Sequence, residues 1–502
     1  MNNLYNSKIY ILAISILVLQ AEINLSYAQS FSENNFSTPR EITTISNTTS
    51  GGTTRSMIAF ADFNADGKND VVKVGVDQIM IMQNIYTTGD ISNVATNLFT
   101  NLTPMATKSG SRNVIIGDIN GDNKDDILVG CDSFASIFIN NSTGGVISFN
   151  SRIDIASYGS NVELFDIDGD GALDLIHSKI SYFTKIGINL NDNTSGLFSS
   201  TAYDFTTPYG SMEDWTFADF DGNGSLDFFS ARANSNSAYT GIYLSKNTST
   251  TGSINFGTLN FKTVSGMQYA SYGSPKSISS ADIDGDTKPD VLVQLGNKTH
   301  FFLNSNGGGT FDINNFSESN ATSQNSTNNF GLNFGVGDIN DDGKIDIISP
   351  GSNSSGTFIL KNNSTISNVS FSSSINIDNI TNQTSIMVDL DGDSHPEIIN
   401  ARYYSDKIYV VQYTGTLLST NSIDRKDFAV YPNPAINHFT IKTIDQSVST
   451  YTIYTLTGQQ VLKGTKMLQA ETHVDISSLQ SGVYILEVST NKKKKRKKII
   501  KG

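Results

Sequence analysis

The chain has 502 residues, of which 37% are hydrophobic and 16% charged, with a single cysteine, Cys131. One cysteine excludes an intrachain disulfide framework, and the wealth of Asn, Ser, Thr and Gly favours short strands and turns over long helices. Charge is divided: residues 29–420 hold 41 Asp and Glu against 20 Lys and Arg, whereas Lys492–Gly502 hold eight basic residues and no acid, so each part needs its own explanation.

Residues 1–28 read as a signal peptide. Lys8 precedes the apolar run Ile9–Leu19, and Ser26-Tyr27-Ala28 supplies small residues for cleavage. The run is about half of the roughly 20 residues that a membrane-spanning helix needs, and no other segment qualifies. An exported chain without disulfides needs another stabiliser, and bound metal is one candidate.

Residues 29–416 are organised by one nine-residue pattern, D-x-[DN]-x-[DN]-x-x-x-[DE], which occurs seven times. The copies are DFNADGKND (62–70), DINGDNKDD (118–126), DIDGDGALD (166–174), DFDGNGSLD (219–227), DIDGDTKPD (282–290), DINDDGKID (338–346) and DLDGDSHPE (389–397). Their starts lie 56, 48, 53, 63, 56 and 51 residues apart, a period that marks repeated structural units. Oxygen-bearing side chains at positions 1, 3 and 5 converge only if the backbone curls about a centre. Gly or Asn at position 6 eases that bend in several copies, and the acid at position 9 closes the shell. Calcium accepts six to eight such oxygens with flexible geometry, where magnesium demands a stricter octahedron.

The candidate metal ligands are Asp62, Asn64, Asp66 and Asp70 in the first copy and Asp118, Asn120, Asp122 and Asp126 in the second. The third and fourth offer Asp166, Asp168, Asp170 and Asp174, then Asp219, Asp221, Asn223 and Asp227. The last three offer Asp282, Asp284, Asp286 and Asp290; Asp338, Asn340, Asp342 and Asp346; and Asp389, Asp391, Asp393 and Glu397. Asn223 and Glu397 depart most from the pattern. These positions hold 24 of the 41 acids, so up to seven Ca²⁺ ions would neutralise much of the charge. An EF-hand would need an acid at position 12, but Lys73, Val129, His177, Ser230, Val293, Ser349 and Asn400 stand there.

Each pattern is followed by a short apolar run, such as Val71-Val72 or Ile127-Leu128-Val129, so the loop joins two strands. A third strand ends near Asn (Ile79–Asn84, Ser136–Asn140, Thr299–Asn304), and a fourth begins with Phe99, Phe149, Phe198, Phe256, Phe311 or Phe371. Four strands per period mean the blades of a propeller. The seventh copy has two following strands, Glu397–Ala401 and Lys407–Tyr413, but no clear fourth. The segment FSTPREITT (36–44) matches FNSRIDIAS (149–157) and can supply it from the N-terminus, which removes two sheet edges at once. The fold expected is all-β: a seven-bladed β-propeller followed by a small Ig-like β-sandwich.

The loops and blade pattern of residues 31–415 resemble FG-GAP/VCBS repeats, as in integrin α-subunit propellers, although the Phe-Gly and Gly-Ala-Pro words of that name are poorly kept. The resemblance implies that calcium loops stabilise one face and that ligands meet the other.

Residues 417–427 read as a linker and 428–502 as a further β-domain. FAVYPNPAINHFTIKT (428–443), STYTIYTLTGQQVLKGT (449–465) and VDISSLQSGVYILEVST (474–490) alternate apolar and polar residues, with Thr457-Gly458 at a hairpin turn. Tyr431-Pro432-Asn433-Pro434, Ser481-Gly482-Val483-Tyr484 and the basic ending resemble a type IX secretion sorting domain. That implies contact with the secretion machinery and release to the medium or the outer cell surface. The basic ending lacks aromatic partners and follows an acidic domain, so nucleic acid is not an expected partner.

No catalytic constellation stands out. The five histidines are scattered, and Cys131 follows an apolar strand as a small hydrophobe does. Tyr-Gly-Ser recurs before the first strand of three blades, at Tyr158, Tyr209 and Tyr272. These tyrosines could pack between blades, or stack on a sugar or protein ligand. The expected function is non-catalytic adhesion or recognition of glycan or protein ligands. The alternatives are a calcium-dependent polysaccharide-degrading enzyme such as a lyase, and a purely structural surface component.

Overall fold

The computed structural model describes residues 32–43, 57–86 apart from 76, 99–156 and, with short interruptions, 161–414, together with the strands between 428 and 501. These fall into two compact units divided after Leu418. The signal-peptide residues 1–28 and the residues 417–427 read as a linker lie outside the described residues, as do Tyr158, Tyr209 and Tyr272.

Among the described residues the first unit forms seven antiparallel sheets; in six the strands follow chain order, and the seventh takes its outermost strand from the N-terminus. Blade 4 is representative: Trp215–Ala218, Asp227–Arg232, Gly241–Ser245 and Asn260–Thr263. In each blade the acidic loop joins the first strand to the second. Second strands are buried along almost their whole length. This explains their uninterrupted apolar runs, because a strand covered on both faces cannot alternate with polar residues.

Successive residues of these strands feed different cores. Phe228 joins a cluster with blade 3 residues such as Ile176 and Ile188. Its neighbour Phe229 joins one with blade 5 residues such as Val291 and Phe302. Seven such clusters exist, each between two sheets, and the seventh sets Leu390, Ile399 and Val410 of blade 7 against Ile58, Val71 and Met82 of blade 1. First strands touch between blades 1 and 2, 2 and 3, 4 and 5, and 6 and 7, which places them toward the ring's centre.

The N-terminal strand completes blade 7. Arg40–Thr43 pairs antiparallel with Lys407–Val410, and Phe36 forms an isolated bridge with Tyr413. The aligned segment in blade 2 behaves identically: Ile153–Ala156 pairs with Phe134–Ile137, and Phe149 bridges Asn140. The match between residues 36–44 and 149–157 therefore held to the residue. Blade 5 differs from expectation. Its fourth strand starts at Phe316, not Phe311, because Asp312 caps a 3-10 turn, Ile313–Asn315, that displaces the strand start by five residues. Phe316 then pairs with Asn304 in the usual register.

The second unit is a sandwich of a three-stranded and a four-stranded sheet, which share a core including Phe439, Ile441, Ile453, Leu486 and Val488. The lysine-rich ending is itself a strand. Lys494–Lys501 pairs along the whole of Gly482–Ser489, with Arg496 opposite Glu487, and it buries Ile499. Lysines suit such an edge strand, since their charge discourages pairing with another chain.

Candidate functional site

The nine-residue loops are built on backbone N–H donors. The position 1 carboxylate accepts from positions 4, 5 and 6: Asp166 receives Gly169, Asp170 and Gly171 at 2.8, 3.1 and 3.0 Å. The fourth and fifth copies repeat this at Asp219 and Asp282. Position 3 accepts from position 5, and position 5 from position 7, as at Asp284, Asp286 and Lys288. These bonds need a left-handed backbone at position 6, where Gly67, Asn123, Gly171, Gly224, Thr287 and Gly343 all have positive φ. Position 4 is left-handed too, at Ala65, Gly121, Gly169, Gly222 and Gly285, a requirement not drawn from the sequence. The N–H donors offset part of the repulsion between clustered carboxylates. Oδ1 of the position 1 carboxylate accepts two of these bonds, whereas Oδ2 accepts one and keeps a lone pair for a cation.

In blades 3, 4 and 5 the position 1, 3 and 9 carboxylates bring one oxygen each within 4.8 Å of one another: Asp166, Asp168 and Asp174; Asp219, Asp221 and Asp227; Asp282, Asp284 and Asp290. The oxygen-only donor set suits a hard divalent ion such as calcium. In blade 4 the buried Oδ1 of Asp221 has no hydrogen-bond partner, while Lys246 Nζ pairs with Oδ2 of the same carboxylate. Blades 1, 2 and 6 carry Asn64, Asn120 and Asn340 at position 3. Asp391 and Asp393 of blade 7 lie outside the described residues.

The position 9 acid also has a structural duty. Its two oxygens span two strands: Asp174 takes the N–H of Ile167 at 2.9 Å and that of Asn191 at 2.9 Å. The same pair of bonds recurs at Asp70, Asp126, Asp227, Asp290 and Asp346. Glu397 reproduces the bond to position 2, from Leu390. Burial pushes the carboxyls of Asp174, Asp227, Asp290 and Asp346 up to about 7, and those of Asp70 and Asp126 up to about 6, while the two N–H donors pull the other way.

The Asn that ends the third strand has a role that its spacing in the sequence does not reveal. In blades 1 to 6 its amide donates to the position 2 carbonyl of the preceding blade: Asn84 to Leu390, Asn140 to Phe63, Asn191 to Ile119, Asn247 to Ile167, Asn304 to Phe220 and Asn362 to Ile283. One residue thus ties each loop to its neighbour around the ring. The signal for it was its fixed place at the third-strand end of six repeats, with Tyr413 standing there in the seventh. A second tie alternates. Position 3 of blades 1, 3 and 5 bonds the outer turn of the next blade: Asn64 to Gly145 O, Gly252 N to Asp168 and Ser367 N to Asp284.

Comparison with known proteins agrees with this architecture. A model described as FG-GAP-like repeat matches residues 118–177 and 219–293, which span the loops of blades 2 to 5. A model described as secretion system C-terminal sorting domain matches residues 429–502. The chain carries FG-GAP-like repeats within its β-propeller and a type IX secretion sorting domain after it. The sorting domain marks it for export to the cell surface or the extracellular space. No curated protein matches it.

Among solved structures, an Agrocybe aegerita lectin that recognises non-reducing terminal N-acetylglucosamine shares 18% identity over 65% of this chain and 81% of its own, with a TM-score of 0.43. BBS1N in complex with ARL6DN shares 10% identity over 76% and 99%, with a TM-score of 0.48.

Two histidines and the cysteine serve the propeller internally. His177 pairs with Asn189 at 2.8 Å, and His300 with Glu318 at 2.7 Å. Cys131 is fully buried, and burial pushes its thiol up to about 11.

Proposed function

We propose that this exported propeller binds calcium in its acidic loops and acts at the cell surface or in the medium as a non-catalytic recognition or adhesion module for glycan or protein ligands. The observation that carries the calcium reading is the convergence of three carboxylate oxygens within 4.8 Å in each of blades 3, 4 and 5. Asp166, Asp168, Asp170 and Asp174, with their counterparts in the other blades, would hold the ions. Calcium bound there supplies positive charge that fastens the first two strands of each blade. The protein's own part is to orient the carboxylates through N–H donors and to tie each loop to the next blade.

Recognition follows from export together with a rigid, metal-braced frame. On this reading the metal loops occupy one face and leave the other to the ligand. Titrating the chelated protein with calcium should raise its melting temperature by several degrees, and a glycan array probed with the calcium-loaded protein tests the ligand class. An unchanged melting temperature in chelator and in excess calcium refutes the calcium reading.

A further inference from the structure

The residue just before the third-strand Asn is Gln83, Ile139, Leu190 and Leu303 in blades 1, 2, 3 and 5, and Gln412 precedes Tyr413 in blade 7. Only blades 4 and 6 place a lysine there, Lys246 and Lys361. Both lysines reach the acidic loop of their own blade. Lys246 Nζ is paired with Oδ2 of Asp221, a fully buried position 3 carboxylate. Lys361 Nζ lies 3.0 Å from Oδ2 of Asp342, at position 5, with side chains only 16% and 14% exposed.

These two loops also carry an amide at one ligand position, Asn223 and Asn340, which leaves three carboxylates among the four ligand positions. Loops 1 and 2 have the same reduced charge, but Gln83 and Ile139 offer them no cation. Lys288 in blade 5 differs from both lysines: it lies at position 7 of the loop itself, is 36% exposed and sits 3.2 Å from Asp286, so solvent screens that pair and its displacement costs little.

An ammonium and a divalent ion compete for the same carboxylate oxygen. A tethered ammonium beside a buried carboxylate competes well, because removing it strands the charge. We propose that Lys246 and Lys361 are the resident cations of loops 4 and 6. Those loops then keep their shape without calcium and stay out of the tightly bound set, while the other five depend on the ion. The convergent carboxylates of blade 4 are, on this view, a site that the chain fills itself. The inference rests on the calcium reading above.

The test is calcium stoichiometry of the full chain, measured by calorimetry and native mass spectrometry with calcium chloride alone, for wild type, Lys246→Met, Lys361→Met and the double variant. Each single substitution should add one tightly bound calcium and the double variant two, while Lys288→Met adds none. In chelator Lys246→Met should melt below wild type, and calcium should restore it. If Lys246→Met fails to fold, Lys246→Arg keeps the charge and should retain the wild-type stoichiometry; an added site in that variant overturns the proposal. Calcium binding by wild type with no gain in the double variant overturns this inference alone. No calcium bound by any of these chains overturns the calcium reading with it.

Discussion

Asn247→Ala tests how the ring is held together. The Asn247 side chain is 2% exposed. It donates to Ile167 O of blade 3 at 2.7 Å and to Leu226 O at 3.1 Å, and it accepts from Ser249 N at 2.8 Å. Truncation removes all three bonds and leaves buried backbone groups short of a partner. At about 1 kcal/mol net for each bond, more where a buried group stays unsatisfied, the loss is about 3 kcal/mol. If a unit of about 380 residues melts cooperatively, with an unfolding entropy of about 0.8 kcal/mol/K, that lowers the melting temperature by about 4 K. Asn247→Asp should cost at least as much, because a carboxylate oxygen would then face two carbonyls. Asn260→Ala is the control, since that exposed amide bonds only Thr258 O nearby. Differential scanning calorimetry reads all three. A fall of less than about 1 K for Asn247→Ala, or no more than for Asn260→Ala, refutes the claim that this amide fastens blade 4 to blade 3.

Three further outcomes are expected. The position 9 carboxyls lose their proton near pH 4 when unfolded but near pH 6 to 7 when folded, so the native state holds more protons in that window. Metal-free stability should therefore fall as pH rises from about 4 to about 7; in chelator the melting temperature at pH 5 should exceed that at pH 8. Thr287 is a β-branched residue at φ +73, and Thr287→Gly keeps its N–H bond to Asp282 while relieving strain, so denaturant unfolding should show a gain of about 1 kcal/mol. Deleting residues 32–43 uncovers the strand Lys407–Val411 and removes Phe36 from the blade 6–7 core; gel filtration should show aggregation where the full chain is monodisperse.

The sequence was most legible where one physical constraint repeats. Seven acidic patterns revealed seven hairpins, and the apolar runs behind them revealed strands buried on both faces. Phe36 and Arg40 betrayed the closing strand because they reproduce Phe149 and Arg152–Ile153 at nearly the same spacing. Legibility failed where the determinant was local. At Phe311 a 3-10 turn set by Asp312 moved a strand start that spacing alone had assigned. At Lys494–Lys501 composition hid a strand, because lysines are tolerated at a sheet edge while Ile499 reaches the core. The Asn ties went unread because their partners lie 72 to 84 residues back in the chain for Asn140, Asn191, Asn247, Asn304 and Asn362, and across the ring's closure, 306 residues away, for Asn84.

The loop has two parts with different physical dependence. Positions 1 and 5 lie toward the hairpin tip and are held by N–H donors from the loop's own next residues, so their geometry is local and their charge is the unsolved problem; position 3 of blades 1, 3 and 5 also bonds the next blade. Position 9 and the third-strand Asn are buried, bonded to other strands and other blades, and belong to the ring whatever occupies the tip. Loss of a tip cation should then loosen the hairpin tip before it opens the ring. Proteolysis of the chelated protein should accordingly cut first within the nine-residue loops, with Lys68 and Lys124 as trypsin targets, while the second strands stay protected. First cleavage within a second strand would instead mean that tip and ring unfold as one.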